Sequence, residues 1–289
     1  MKPAEFDYVR PTTISGAVDV LASEPDESRV LAGGQSLVPL MNFRLAAPGL
    51  LVDINRIDEL NHIEQRDGGV AIGAIARQAD AEASPIVQSA CPLVADALHY
   101  VGHPQLRNRG TVVGSLAHHD PAAELPAVAV ALNARMTLVG PAGQRLVDAD
   151  EFFTSHFTTT AEADELLTEA WFPAQGSGVG SAFVEIARRP GDFAIVGVAA
   201  VLEVSDDTVT AARVAVSGMG ARPIRCVAVE ATVTGRPAVD ESFARAAAVV
   251  PDEARLSPSD DVHATASYRR SVLPVLIESA MAKAAARAG

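Results

Sequence analysis

Cysteine is nearly absent from this chain. Among 289 residues only Cys91 and Cys226 occur, far apart in sequence. Two isolated thiols make no disulfide framework and cannot ligate a zinc ion or an iron–sulfur cluster within the chain. They fit a reducing, cytoplasmic compartment. Long apolar runs are missing too. The longest near-continuous stretch, Ala194 to Leu202, is far short of a membrane span, and Met1 to Thr13 has no apolar segment of the secretion-signal kind. No direct membrane insertion is therefore expected. Basic charge is scarce: the formal net charge is −13. Such a chain repels phosphate backbones, so no nucleic-acid partner is expected, and the charge serves solubility. Internal repeats and low-complexity tracts are also absent.

Several catalytic signatures are missing as well. There is no G-x-G-x-x-G after a strand, no G-x-x-x-x-G-K-[ST], no G-x-S-x-G and no H-E-x-x-H. These absences argue against a Rossmann site, a P-loop, a hydrolase elbow and a zincin centre. No residue stands out as catalytic, and no metal site is expected. His118, His119 and Asp120 are consecutive, so their side chains do not converge easily on one ion.

What is present is a globular balance, 48% hydrophobic and 20% charged. The first part reads as α/β. Strands are predicted at Arg29–Ala32, Leu50–Ile54 and Val70–Ile75. A helix is predicted over Pro85 to Val101, and another from Asp120–Pro121 to about Asn133, with Asp120 as its cap. Strands resume at Arg135–Val139 and Leu166–Phe172. The glycine-rich Ala174–Gly180 reads as a linker. Beyond it lie strands at Ala182–Ala187, Ile195–Val204 and Thr210–Ser217, with Asp206–Asp207 as a turn. A helix over Tyr268 to Ala286 is expected to pack on that sheet.

Two glycine-bearing segments can carry chemistry. Leu31-Ala32-Gly33-Gly34-Gln35-Ser36-Leu37 puts adjacent glycines at a strand end, where successive N–H groups can face one concavity and hold a pyrophosphate. Arg107 to Ser115, with Gly110, Thr111, Gly114 and Ser115 in a predicted loop, is the second. Read by spacing alone, each is either an anion cradle or an ordinary turn.

Together, however, these residues carry a resemblance. Ala32 to Leu45, followed by Leu51-Val52-Asp53-Ile54-Asn55, resembles the FAD-binding medium subunit of molybdenum hydroxylases of the xanthine dehydrogenase and aerobic carbon monoxide dehydrogenase type. Arg107 to Thr111, running on through Ala117 to Pro126, is similar to the family's second signature. Phe152–Phe153 and Asp164 to Leu167 match later segments, and the likeness extends to about Gly220. The resemblance implies an α+β fold: a vanillyl-alcohol-oxidase-like (PCMH-type) FAD-binding domain of two α/β subdomains, followed by a C-terminal α/β domain. The divisions would be 1–175, with subdomains of about 1–56 and 57–175, and 181–289.

It further implies that FAD is held by Leu31 to Leu37 and by Gly110, Thr111, Gly114 and Ser115. Val101, His118, Asp120, Glu124 and Leu167 fall beside the cofactor, and Phe193, after Gly191–Asp192, near its ring. In partner subunits it implies a large chain with the molybdenum cofactor and a small chain with two [2Fe–2S] clusters, as a dimer of heterotrimers. Electrons would leave through FAD to an external acceptor. Rival readings are a self-sufficient FAD-dependent reductase and a scaffold that has lost FAD. Two departures from the family pattern bear on this. Val113 stands where relatives carry glycine: it either changes the loop's backbone or narrows the pocket. Relatives also carry lysine or another polar residue near Val184, and this chain has valine.

Overall fold

The computed structural model describes residues 2–250 and 255–288, so Met1 and Gly289, the expected outer ends of the two domains, lie outside it. The chain begins with a small parallel sheet. Strands β1 (Asp7–Val9), β2 (Ser28–Leu31) and β3 (Leu50–Asp53) lie in the order β1-β3-β2. Helix α1 (Ile14–Ser23) connects the first two, capped by Thr13, whose hydroxyl accepts the Gly16 N–H at 3.1 Å. It buries Ala17, Val18 and Leu21. Helix α2 (Leu37–Asn42) follows β2. Because the strands are parallel, the ends of β2 and β3 meet at one edge, with Leu31 opposite Asp53.

A five-stranded antiparallel sheet comes next. Its order is β4 (Ile63–Arg66), β5 (Gly69–Gly73), β10 (Leu166–Pro173), β6 (Arg135–Gly140) and β7 (Gly143–Asp148). Between β5 and β6 run α3 (Gln78–Ala83), α4 (Pro85–Ala90), α5 (Pro92–Tyr100), α6 (Pro104–Arg107), α7 (Val112–His118) and α8 (Glu124–Leu132). After β7 come α9 (Ala149–Phe152) and the small hairpin of β8 (Phe153–Ser155) and β9 (Thr158–Thr159). Leu93, Leu98, Leu116, Leu125, Phe152 and Phe172 fill one core with the strands.

The last part is an antiparallel sheet of β11 (Val179–Ala187), β12 (Ala194–Ser205), β13 (Thr208–Ser217) and β14 (Ile224–Arg225), with α10 (Val227–Val233), α11 (Asp240–Ala247) and α12 (Ala266–Ala286). The two-residue Asp206–Asp207 turn has both residues in left-handed geometry (φ 47° and 56°), which suits the twist of a tight hairpin. Alternation along these strands serves two masters. Ala182, Val184, Val198 and Leu202 enter a second core under α12. Phe183, Ala199, Val201 and Ala215 face the other way and join the first core under α5 and α8.

Three expectations need correction. The helix predicted over Pro85–Val101 is two helices, because Pro92 cannot donate to a preceding turn and restarts the helix at its first position. Asp120 does not cap α8. Its Oδ1 accepts the Ala122 N–H at 2.9 Å in a local turn after His119, which is left-handed (φ 46°), and α8 begins only at Glu124. The stretch Thr111 to Ser115 is not a loop: Thr111 caps α7, and Val112 onwards is helical.

Candidate functional site

A cavity of about 360 Å³ opens at the carboxyl ends of β2 and β3, the edge at which open α/β sheets place ligands. Leu31, Ala32, Gly33, Gly34 and Gln35 line it, and so do Val38, Pro39, Asn42, Asp53, Asn55 and Arg109. Gly34 takes φ +73°, which turns the chain from β2 toward α2. Gly33 is required for a different reason. A Cβ there would lie 2.4 Å from the Arg109 carbonyl oxygen and 2.8 Å from the Gly110 Cα. The two glycine-bearing segments therefore touch backbone to backbone. Gly114 continues the contact, since a Cβ on it would come within 3.9 Å of the Ala32 Cβ. Among the described residues the N–H groups of Gly33, Gly34, Gln35 and Ser36 have no protein acceptor. Backbone donors rarely stay unpaired unless solvent or a ligand takes them.

The far wall is set by a polar chain. Asn55 donates from Nδ2 to the Ala32 carbonyl at 2.9 Å and to Asp53 Oδ1 at 2.6 Å. Asp53 also accepts from the Tyr8 hydroxyl and from the Asn55 N–H at 2.9 Å. Burial works to raise the Asp53 carboxyl, but the Tyr8 and Asn55 hydrogen bonds and the Arg10 charge outweigh it, so the group sits below its ordinary value. Thr111 is buried, and its hydroxyl accepts the Gly114 N–H at 3.0 Å. Val113 takes no positive φ. It is helical, 2% exposed, part of the first core and not on the cavity wall. Its backbone takes no special conformation, and its side chain turns into the core rather than onto this cavity wall.

The remaining sequence candidates lie off this cavity. Ser36, Leu37, Gly110 and Ser115 belong to the two touching segments but do not line it. Val101 ends α5, and its carbonyl accepts from Arg107 Nη1 at 3.0 Å. Arg107 also binds Glu82 at 2.7 Å, which braces the turn leading to Gly110. His118 packs against Phe157 at a tilt, with ring centroids 5.2 Å apart. His119 is fully buried and joins the Thr158 carbonyl through Nδ1 at 2.9 Å. A carbonyl only accepts, so Nδ1 carries the proton. Burial lowers both histidines below their usual range. Leu167 is buried in β10, opposite Leu138 of β6.

A second polar feature lies where the C-terminal sheet meets α5 and α8. Glu124, in the first turn of α8, is 2% exposed, and burial pushes its carboxyl up to about 7, with Asp120 adding to the effect. Glu185 shares the face of β11 that carries Phe183 toward Tyr100, with those rings 5.5 Å apart. Burial and the charge of Glu124 push Glu185 up to about 8, and its Oε2 has no partner. Val184 points into the second core, so Glu185 lies on the face of β11 turned toward the first core. Phe193 is 55% exposed after Gly191 (φ +84°), and Asp192 pairs with Arg189 at 3.0 Å.

Asp53, Asn55 and Arg109 were missed as cavity residues. The signal was present in Leu51 to Asn55, a strand ending in two polar residues, but only the parallel pairing with β2 brings it to the glycines.

The family model described as the FAD binding domain in molybdopterin dehydrogenase matches residues 4–175, and that described as the CO dehydrogenase flavoprotein C-terminal domain matches 181–284. The chain belongs to the FAD-binding medium-chain family of molybdenum hydroxylases. Its relatives in this family include the 6-hydroxypseudooxynicotine dehydrogenase complex subunit alpha of Paenarthrobacter nicotinovorans, 40% identical, with 100% of this chain and 97% of the relative covered. The carbon monoxide dehydrogenase medium chain of Hydrogenophaga pseudoflava is 36% identical, with 99% of each covered. The solved carbon monoxide dehydrogenase of that organism superposes with a TM-score of 0.96 at 36% identity, over 100% of both chains. Quinoline 2-oxidoreductase from Pseudomonas putida 86 gives 0.94 at 35%, covering 100% of this chain and 99% of that one. As in an FAD-binding medium chain, the residues at the cavity suit a dinucleotide: open backbone donors, glycines at the closest approach and an arginine on the wall.

Proposed function

We propose that this medium chain is the electron-transfer flavin subunit of a heteromeric molybdenum hydroxylase. The observation that carries the reading is the backbone contact of Gly33 with Arg109 and Gly110, beside four N–H groups without protein acceptors. Leu31 to Leu37 and Gly110 to Ser115 grip the diphosphate from two sides. Val101, His118, Asp120, Glu124, Leu167 and Phe193 extend along the rest of the cofactor. The FAD-binding unit covers 1–175, in subdomains of about 1–56 and 57–175, and the C-terminal unit covers 181–289.

Bound FAD supplies a two-electron store that can pass electrons on. The chain's own residues bind the dinucleotide, fix its orientation and limit access to it. A large partner carries the molybdenum cofactor and hydroxylates the substrate, and a small partner carries two [2Fe–2S] clusters that feed electrons here. The complex is a cytoplasmic dimer of heterotrimers that serves an external acceptor. Relatives named as medium chains of carbon monoxide and glyceraldehyde dehydrogenases support this assembly, as does the scarcity of cysteine. Among the described residues no helix is long and apolar enough to cross a membrane.

The test is copurification with identification of partners and cofactors, combined with absorption spectra. Flavin bands in a three-subunit complex with molybdenum and iron are expected. A flavin-free chain that gains no bands on adding FAD contradicts the reading. So does reduction by NADH or NADPH of the isolated chain, which belongs to a self-sufficient reductase.

A further inference from the structure

Behind the glycine contact stands a residue that belongs to neither glycine segment. Arg77 lies between β5 and α3 and pairs in an isolated bridge with Thr111. Its Nη1 donates to the Arg109 carbonyl at 3.0 Å, and its Nη2 donates to Asn55 Oδ1 at 2.6 Å. Asn55 in turn holds the Ala32 carbonyl at 2.9 Å. One guanidinium thus ties the segment before Gly33 to the segment before Gly110. The next residue holds the second segment further, because the Gln78 N–H donates to the Gly110 carbonyl at 2.8 Å.

The charge of Arg77 is costly where it is. Burial, and then the nearby Arg109 charge, lower its pKa from the usual range. Several partly buried or buried arginines of the chain are ion-paired, Arg107 with Glu82, Arg225 with Glu230 and Arg269 with Asp261, and Arg135 instead lies over the Trp171 ring. Among the described residues, Arg77 and Arg109 form no ion pair; Asp80 and Asp53 act on Arg77 only at a distance. Arg109 lines the cavity and Arg77 stands behind it, so in a chain of net charge −13 both bring positive charge to the side of the site where the glycine segments meet, which suits an anionic ligand.

We propose that Arg77 is the positioning residue of the diphosphate cradle, bracing the two glycine segments through the Arg109 carbonyl and Asn55 and, with Arg109, supplying its countercharge. This rests on the FAD reading and deepens it: the ligand chemistry is the doubly charged diphosphate of a dinucleotide. The bracket has a part that salt does not screen, the two hydrogen bonds, and a part that it does, the charge.

The test is titration of FAD into the deflavinated full chain, followed by flavin fluorescence over a series of KCl concentrations. Arg77→Met is expected to weaken FAD by about 10- to 100-fold at low salt, the loss expected of a charged hydrogen-bonding group. The gap from the unmodified chain narrows as KCl rises. Arg77→Lys restores the salt dependence but not the tightness at high salt, because lysine cannot span both acceptors. A purely structural role weakens FAD equally at every salt concentration, and that result overturns the proposal. So does an Arg77→Met chain with unchanged affinity. If the unmodified chain binds no FAD, the FAD reading falls and this proposal with it. Should Arg77→Met not fold, as thermal melting reveals, Arg109→Gln decides. Its side chain is exposed, and it must lose affinity with the same salt pattern; no loss overturns the proposal.

Discussion

Glu185 and Glu124 are a partly buried and a buried acid, with the charge of Glu124 adding to the burden on Glu185 and that of Asp120 to the burden on Glu124. Neither forms an ion pair among the described residues, and one oxygen of Glu185 has no partner. Around them stand Tyr100 and Asp96 of α5, Asp120 before α8, and Arg287 after α12. The folded pKa values, about 7 and about 8, lie above the ordinary carboxylate value. The folded state therefore holds more protons than the unfolded state across that window, so stability falls as pH rises from the unfolded pKa to the folded one. Glu185→Gln removes the penalty. Relative to that variant, the unmodified chain is expected to lose melting temperature between about pH 5 and about pH 9. Parallel melting curves across that range count against the pair.

At the level of elements, Val113 settles a question that the sequence left open. Its position in the family motif suggests a strained loop, yet its backbone is an ordinary turn of α7. Val113→Gly then removes a buried side chain and adds backbone freedom. Destabilisation of about 2 to 4 kcal/mol is expected in a denaturant titration, with FAD affinity unchanged. Tighter FAD binding would instead return Val113 to the pocket.

Elements were legible where one signal dominated. The β-branched runs of β12 and β13 and the Asp206–Asp207 turn were plain because both faces of that sheet are buried. Helices α2, α3, α6 and α7 are too short to show a period. Strand β7 escaped because its side chains are almost all exposed. The site divided in the same way. Gly33 and Gly34 were visible locally, whereas Asp53, Asn55, Arg77 and Arg109 acquire their roles only through strand pairing and chain crossings.

For the whole molecule, the two cores are joined rather than merely adjacent. The Gly218 N–H donates to the Pro121 carbonyl at 2.9 Å, and Arg213 donates to the Ala131 carbonyl at 3.0 Å. Arg287 reaches Asp96, and also the Ser181 carbonyl at 2.8 Å. Phe183, Ala199, Val201 and Ala215 belong to the first core although their strands belong to the C-terminal sheet. The chain is therefore expected to unfold as one unit. Trp171, the one tryptophan, reports the five-stranded sheet, and far-UV circular dichroism reports the whole chain. Coincident denaturant transitions are expected, and two separated steps would show independent halves.

The central claim, that FAD is held where Gly33 meets Arg109 and Gly110, has a direct measurement: the ratio of bound FAD to chain after gel filtration, read by absorption. The unmodified chain is expected to retain one FAD, and Gly33→Val, which forces the two segments apart, to retain almost none while melting as a folded protein. Full FAD retention by Gly33→Val, or no FAD on the unmodified chain, would contradict the claim.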